Sequence, residues 1–321
     1  WFWCWVKLGC SPDSMGLKIK RFIMKVAWVF PGQGSQKIGM ANKIINLPNA
    51  QNSFDYASEV FEKNLFEICE QITESKNLEN DLNNTKNTQI CLFLVEAILL
   101  DSLKENGFIP NYIAGHSLGE ITALYCAGVL SFEDCVLLIK IRSELMADSA
   151  KGFMAALIGF DRNQLDLLVE EIDELVIAND NSSSQVVLSG SEKALDNISS
   201  RITCKRFIKL NVSGAFHSPF MKEPSIRFSK YLDNVVFNKP SLPVISNSNP
   251  SLCNDPNELK VRLKNQMCNG VRWRETMDLM SENSNLHIVE IGPSNVLGGL
   301  AKRHLKDVKI SQISSSDQIN Y

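Results

Sequence analysis

The stretch Tyr112-Ile113-Ala114-Gly115-His116-Ser117-Leu118-Gly119-Glu120 limits what this chain can fold into more than any other. A short apolar run ends in Gly-x-Ser-x-Gly, and a helical pattern, about Leu118 to Ala127, begins at once. That order is the nucleophile elbow, a serine on a strained turn between a buried strand and a helix. Gly115 and Gly119 lack a Cβ, so strand and helix can close on each other while Ser117 Oγ stays accessible. The first N–H groups of the helix point back at the serine, and an oxyanion formed on a bound carbonyl could accept from Leu118 N–H. Read alone, the same letters also describe a glycine-flanked turn carrying an ordinary serine. The strand before and the helix after favour the elbow.

An elbow of this kind needs a parallel sheet with covering helices, and the chain supplies the alternation. Val26 to Phe30 reads as a buried strand, followed by the tight loop Pro31-Gly32-Gln33-Gly34-Ser35-Gln36 at its carboxyl end, where α/β proteins place ligand-binding backbone. Residues 51–72 and 88–106 read as amphipathic helices separated by a polar surface loop, 77–87. A helix opens at Ser131 with Asp134 in the capping position. Further strands are expected at 242–247 and 287–291, and helices at 257–267 and 296–304. With 321 residues and 44% hydrophobic content, the chain is long enough for one large domain carrying a smaller one.

The smaller one shows as a change of rhythm. Strands at 153–160, 176–178, 185–189 and 206–212 and helices at 162–171 and 192–201 follow the order βαββαβ, that of a ferredoxin-like unit. The polar run 179–184, which includes Asn181, reads as the turn between its middle strands. The expected fold is therefore α/β: an α/β-hydrolase-like large domain (24–150 and 213–321) with a parallel sheet, and an inserted ferredoxin-like small domain (151–212). Residues 1–23 precede the natural-looking start Met24-Lys25-Val26. Their apolar run is too short to span a bilayer and is a poor signal peptide, so they read as a disordered or loosely docked extension, with organelle targeting the less favoured alternative.

Four histidines are available, and His217 is the best general base by elimination. His116 is expected to point away from the serine, His287 opens an apolar strand, and His304 ends a charged helix. His217 lies in a loop of small residues just before Ser218-Pro219, which cap a helix. Arg142 falls on the same stripe as Leu138 and Met146. A guanidinium among core-facing residues is costly unless an anion partners it. It either meets a structural carboxylate or snorkels, or it waits for a substrate carboxylate. A net charge of −3 gives no reason to expect nucleic acid. Nine cysteines without a Cys-x-x-Cys pair suit reduced thiols in the cytoplasm better than disulfides or a metal site.

Pro31-Gly32-Gln33-Gly34-Ser35-Gln36, Gly115-His116-Ser117-Leu118-Gly119-Glu120, Arg142, Ala215-Phe216-His217-Ser218 and Glu290-Ile291-Gly292-Pro293 stand in one order. From about Met24 to the C-terminal region the chain resembles the malonyl-CoA:acyl carrier protein transacylases of bacterial type II fatty-acid synthesis. The resemblance implies Ser117 as nucleophile and His217 as base, with the N–H groups of Gln33 and Leu118 as oxyanion hole. It implies Arg142 as the grip on the malonyl carboxylate, and Met146 and Phe216 as pocket lining. Gln266 matches a glutamine at the substrate site whose backbone carbonyl orients the histidine, and Asn181 an asparagine close to that site. It further implies a ping-pong transfer from malonyl-CoA to acyl carrier protein, with no cofactor, metal, membrane or nucleic acid, and a monomer is expected. A discrete acyltransferase of polyketide synthesis has the same chemistry. A serine esterase or thioesterase is more remote, since it would want an acid behind the histidine and has no use for Arg142. Two basic clusters are candidates for docking an acidic carrier: Lys205, Arg206 and Lys209, and Arg272, Arg274, Lys302 and Arg303.

Overall fold

The computed structural model describes residues 24–71, 78–149, 151–212, 214–282 and 285–319, so the expected extension at 1–23 lies outside the described residues. β1 (Lys25–Phe30) leads through the glycine loop into α1 (Ala50–Phe61) and α2 (Leu65–Glu70). The sequence reads these two as one helix. Glu62 breaks it in a left-handed conformation (φ 53°) that ends α1, and Asn64 then caps α2 by accepting from the Glu67 N–H. α3 (Thr85–Glu105) starts within the segment expected to be loop, with the Asn84 side chain accepting from the Lys86 N–H. It is buried on nearly every side rather than amphipathic, so it runs through the core.

β2 (Tyr112–Gly115), α4 (Gly119–Cys126) and α5 (Phe132–Asp148) follow, α5 capped by Ser131, whose Oγ accepts from Asp134 N–H at 3.0 Å. Then come β3 (Phe153–Phe160), α6 (Arg162–Glu171), β4 (Leu175–Ser182), β5 (Gln185–Gly190), α7 (Glu192–Arg201) and β6 (Cys204–Lys209). β4 runs on through the residues expected to form a turn, which shrinks to Ser183 and Ser184, and β6 lies earlier than its expected 206–212. α8 (Lys222–Asp233), β7 (Val244–Ile245), β8 (Leu252–Cys253), α9 (Pro256–Gln266), α10 (Trp273–Ser281), β9 (Leu286–Ile291), α11 (Val296–His304) and β10 (Lys309–Ile313) complete the order.

Two sheets result. The larger runs β10-β9-β1-β2-β7-β8, parallel except at β8. Helices α3, α4 and α5 cover one face through residues such as Phe30, Phe93, Leu118 and Ile139; α10 and α11 cover the other through Trp273, Met277, Leu297 and Leu300. The smaller runs β4-β5-β3-β6, wholly antiparallel, and packs on α6 and α7. Numbered within its own unit that order is 2-3-1-4, the ferredoxin-like arrangement expected from βαββαβ.

The two sheets are pinned together beside the elbow. Asp180 N–H donates to Val271 O at 2.9 Å, and Val271 N–H to Ala178 O at 2.8 Å. The Asp180 carboxylate takes Arg162 Nη1 at 3.1 Å from its own unit and Arg274 Nη2 at 3.0 Å from α10. Arg274 is thus an internal tie rather than a free surface cation, and Arg272 Nε is committed to Glu275 at 2.8 Å.

Candidate active site

Ser117 sits between β2 and α4 at φ 53°, a left-handed conformation that costs a non-glycine residue on the order of 1–3 kcal/mol and persists only where the surroundings enforce it. Two side chains do so. Asn247 Oδ1 accepts Ser117 N–H at 2.7 Å while its Nδ2 donates to Gly115 O at 2.5 Å, and Gln266 Nε2 donates to Ser117 O at 2.8 Å. A Cβ on Gly115 would lie 1.8 Å from Gly119 O, and one on Gly119 2.1 Å from Phe30 O, so the turn closes only with glycine at both positions.

His217, also at positive φ (55°), precedes the short 3-10 turn Pro219–Met221. Its Nε2 is 2.7 Å from Ser117 Oγ and its Nδ1 3.0 Å from Gln266 O. A carbonyl only accepts, so Nδ1 carries the proton and the Nε2 lone pair faces the hydroxyl. Burial, with Arg142 adding to it, pushes the His217 pKa down to about 3. The imidazole is therefore neutral and free to take a proton.

Arg142, on α5, is 1% exposed. It donates Nη1 to Gln89 Oε1 at 2.7 Å, and Nη2 to Gln266 Oε1 at 3.0 Å and Ser117 Oγ at 3.2 Å. Its Nε has no partner, and no carboxylate lies within ion-pair distance among the described residues. Burial pushes its pKa down to about 10, which still leaves it a cation. A buried, ionised fork with amide partners and no carboxylate in contact is poised to bind one.

Ser117, His217 and Arg142 share a cavity of about 90 Å³ with Gln33, Leu118, Met146 and Phe216. The N–H groups of Gln33 and Leu118 have no acceptor among the described residues. Gln266 and Asn181 do not line the cavity. Gln266 touches Ser117, His217 and Arg142 from behind, and Asn181 Oδ1 meets His116 Nε2 at 2.8 Å. His116 itself lies on the cavity wall, contrary to expectation, held there by Asn181 and by an edge contact with Trp273. Gln89, Asn247 and Glu120 were not singled out by sequence reasoning. Gln89 carried a signal, a lone amide at the start of an apolar helix. No described group of His, Cys, Asp and Glu could hold a metal ion, and no described helix is long and apolar enough to cross a membrane.

The model of the acyl transferase domain family matches residues 27–317. The chain belongs to the acyl transferase family. This acyl transferase is 43% identical over 297 residues to the malonyl CoA-acyl carrier protein transacylase of Synechocystis sp., covering 92% of this chain and 99% of that protein. It is 35% identical to the Bacillus subtilis enzyme of the same name, covering 92% and 95%. The crystal structure of the Synechocystis enzyme superposes with a TM-score of 0.87, again over 92% and 99% of the two chains. A malonyl-transacylase solved in complex with a type II polyketide synthase acyl-carrier protein, 30% identical, gives 0.84 over 92% and 98%.

Proposed function

We propose that this acyl transferase moves the malonyl group from malonyl-CoA to the phosphopantetheine thiol of an acyl carrier protein, supplying fatty-acid synthesis. The observation that carries the malonyl reading is Arg142: a buried guanidinium without a carboxylate partner, 3.2 Å from the serine hydroxyl in the same cavity. An acyl group with a terminal carboxylate satisfies it; an acetyl group does not.

Ser117 Oγ attacks the thioester carbon as its proton passes to His217 Nε2. The oxyanion accepts from the N–H groups of Gln33 and Leu118, which stand ready without protein acceptors. Collapse breaks the C–S bond, and the CoA sulfur takes the proton from His217. The carrier thiol then gives its proton to His217 and attacks the malonyl-serine ester, and Ser117 Oγ leaves with that proton. Gln266 O replaces the acid of a triad by holding Nδ1–H, so histidine and serine act as a dyad. Met146 and Phe216 line the acyl space, and residues 151–212, read as an inserted domain, close it. The names of the relatives agree with this substrate pair.

The test is intact-mass spectrometry. Malonyl-CoA should leave one malonyl group on the protein, absent in Ser117→Ala, and holo carrier protein should discharge it. An unmodified protein under these conditions would exclude the proposal.

A further inference from the structure

Behind the elbow lies a buried carboxyl that the reaction above does not use. Glu120, in the first turn of α4, is 1% exposed. Its Oε2 accepts Gln266 Nε2 at 2.8 Å and Asn247 N–H at 3.1 Å. Those two residues hold the whole site. Asn247 takes the Ser117 N–H, and Gln266 reaches Ser117 O, His217 Nδ1 and Arg142 Nη2. With Glu120 accepting at Nε2, the Gln266 amide must present Oε1 to Arg142, so one carboxyl fixes the orientation of that amide. Burial leaves the Glu120 pKa raised on balance, with hydrogen bonds from Gln266, Asn247 and Ser246, and then the Arg142 charge, acting against it. Glu120 in turn is the charge that supports ionisation of Arg142 against its burial.

We propose that Glu120 is a positioning residue of this site, acting through Gln266 and serving as the counter-charge of Arg142. The inference rests on the malonyl reading above. Within the protein the two opposite charges keep the buried guanidinium from standing alone. When a malonyl carboxylate arrives at Arg142, it meets the field of Glu120 as well. Binding of the malonyl group is thereby kept below what an uncompensated arginine would give. That suits a transferase, since an acyl group held equally tightly before and during transfer gains no rate.

Glu120→Gln isolates the charge. Both hydrogen bonds go to one oxygen, so glutamine can keep them with its own Oε1 and turn its NH₂ toward the neighbouring Ser246 hydroxyl, which is buried beside it. Malonyl-CoA and acetyl-CoA are titrated calorimetrically onto Ser117→Ala, which binds without turnover, and onto Ser117→Ala/Glu120→Gln. Malonyl-CoA should bind the double variant more tightly, on the order of tenfold, with acetyl-CoA unchanged. A merely structural role would weaken both thioesters alike, and that result, or no change in either, overturns the proposal. If Ser117→Ala itself shows no preference for malonyl-CoA over acetyl-CoA, the malonyl reading falls and this inference with it. Should Glu120→Gln leave too strained a core to fold, Glu120→Gln/Arg142→Gln removes the stranded cation and should fold and melt higher. A double variant no more stable than the single one also overturns the assignment.

Discussion

At the scale of single residues, the site is a set of groups whose buried neighbours decide their charge. Arg142→Ala should lower kcat/KM for malonyl-CoA by about tenfold to a hundredfold, the cost of a charged hydrogen bond of roughly 1.5–3 kcal/mol. Acetyl transfer should survive or rise, and equal losses on both donors would make Arg142 structural. The same variant changes the pH profile. Arg142 depresses the His217 pKa, second to burial, so removing it lets that pKa rise from about 3 toward the ordinary value. The acid limb of acetyl-serine formation should then move to higher pH, and an unmoved limb would count against His217 as the base. Stability follows the same direction. A histidine with a depressed folded pKa contributes fully above its ordinary value near 6.5, and that contribution is lost as pH falls toward about 3. His217→Gln should therefore lose less stability than the parent between those limits, read from melting temperature against pH.

At the scale of elements, how much the sequence reveals depends on whether a signal is local. The strand 153–160 and the helices 162–171 and 192–201 fall where their periodicity and caps put them, because each is amphipathic against one sheet face. The Gly-x-Ser-x-Gly turn was legible for a different reason: no residue with a side chain fits at Gly115 or Gly119. Other elements take their form from distant partners. β4 is extended through a polar run because Val271 pairs with its backbone and β5 with its other edge. α3 carries Gln89 and Glu96 in full burial because Arg142 and Thr122 meet them. β7 is only two residues long, yet it delivers Asn247 to the elbow. Asn247→Ala should strand the Ser117 N–H and Gly115 O, cost about 1–3 kcal/mol of stability, and lower kcat more than KM. An unchanged rate of malonyl-serine formation would show that the turn holds without it.

At the scale of the whole molecule, the partner proposed here is acidic while this chain carries a net charge of −3, so docking must use a local basic face. The structure separates the two candidate clusters. Arg274 is tied to Asp180 between the sheets, Arg272 to Glu275, and Lys209 to Asp196 at 2.9 Å, whereas Lys205 and Arg206 are exposed on β6 and Lys302 and Arg303 on α11. β6 is the edge strand of the small sheet, and the chain just beyond it contributes Leu210 and Val212 to the cavity wall. At roughly 3.3 Å per residue, Lys205 lies about 17 Å along the chain from Leu210. A carrier docked there could extend a long thiol arm along β6 to Ser117. Charge at such a rim mainly sets association rate and salt sensitivity. Lys205→Glu/Arg206→Glu should therefore raise KM for the carrier several-fold at low salt and less at moderate salt. Malonyl-serine formation from malonyl-CoA should be unchanged. Arg274→Glu should instead lower the melting temperature, because it places two carboxylates together at the pin between the sheets. The two half-reactions, measured separately at both salt concentrations, decide the matter: a carrier step indifferent to the Lys205/Arg206 reversal would move the docking face away from β6.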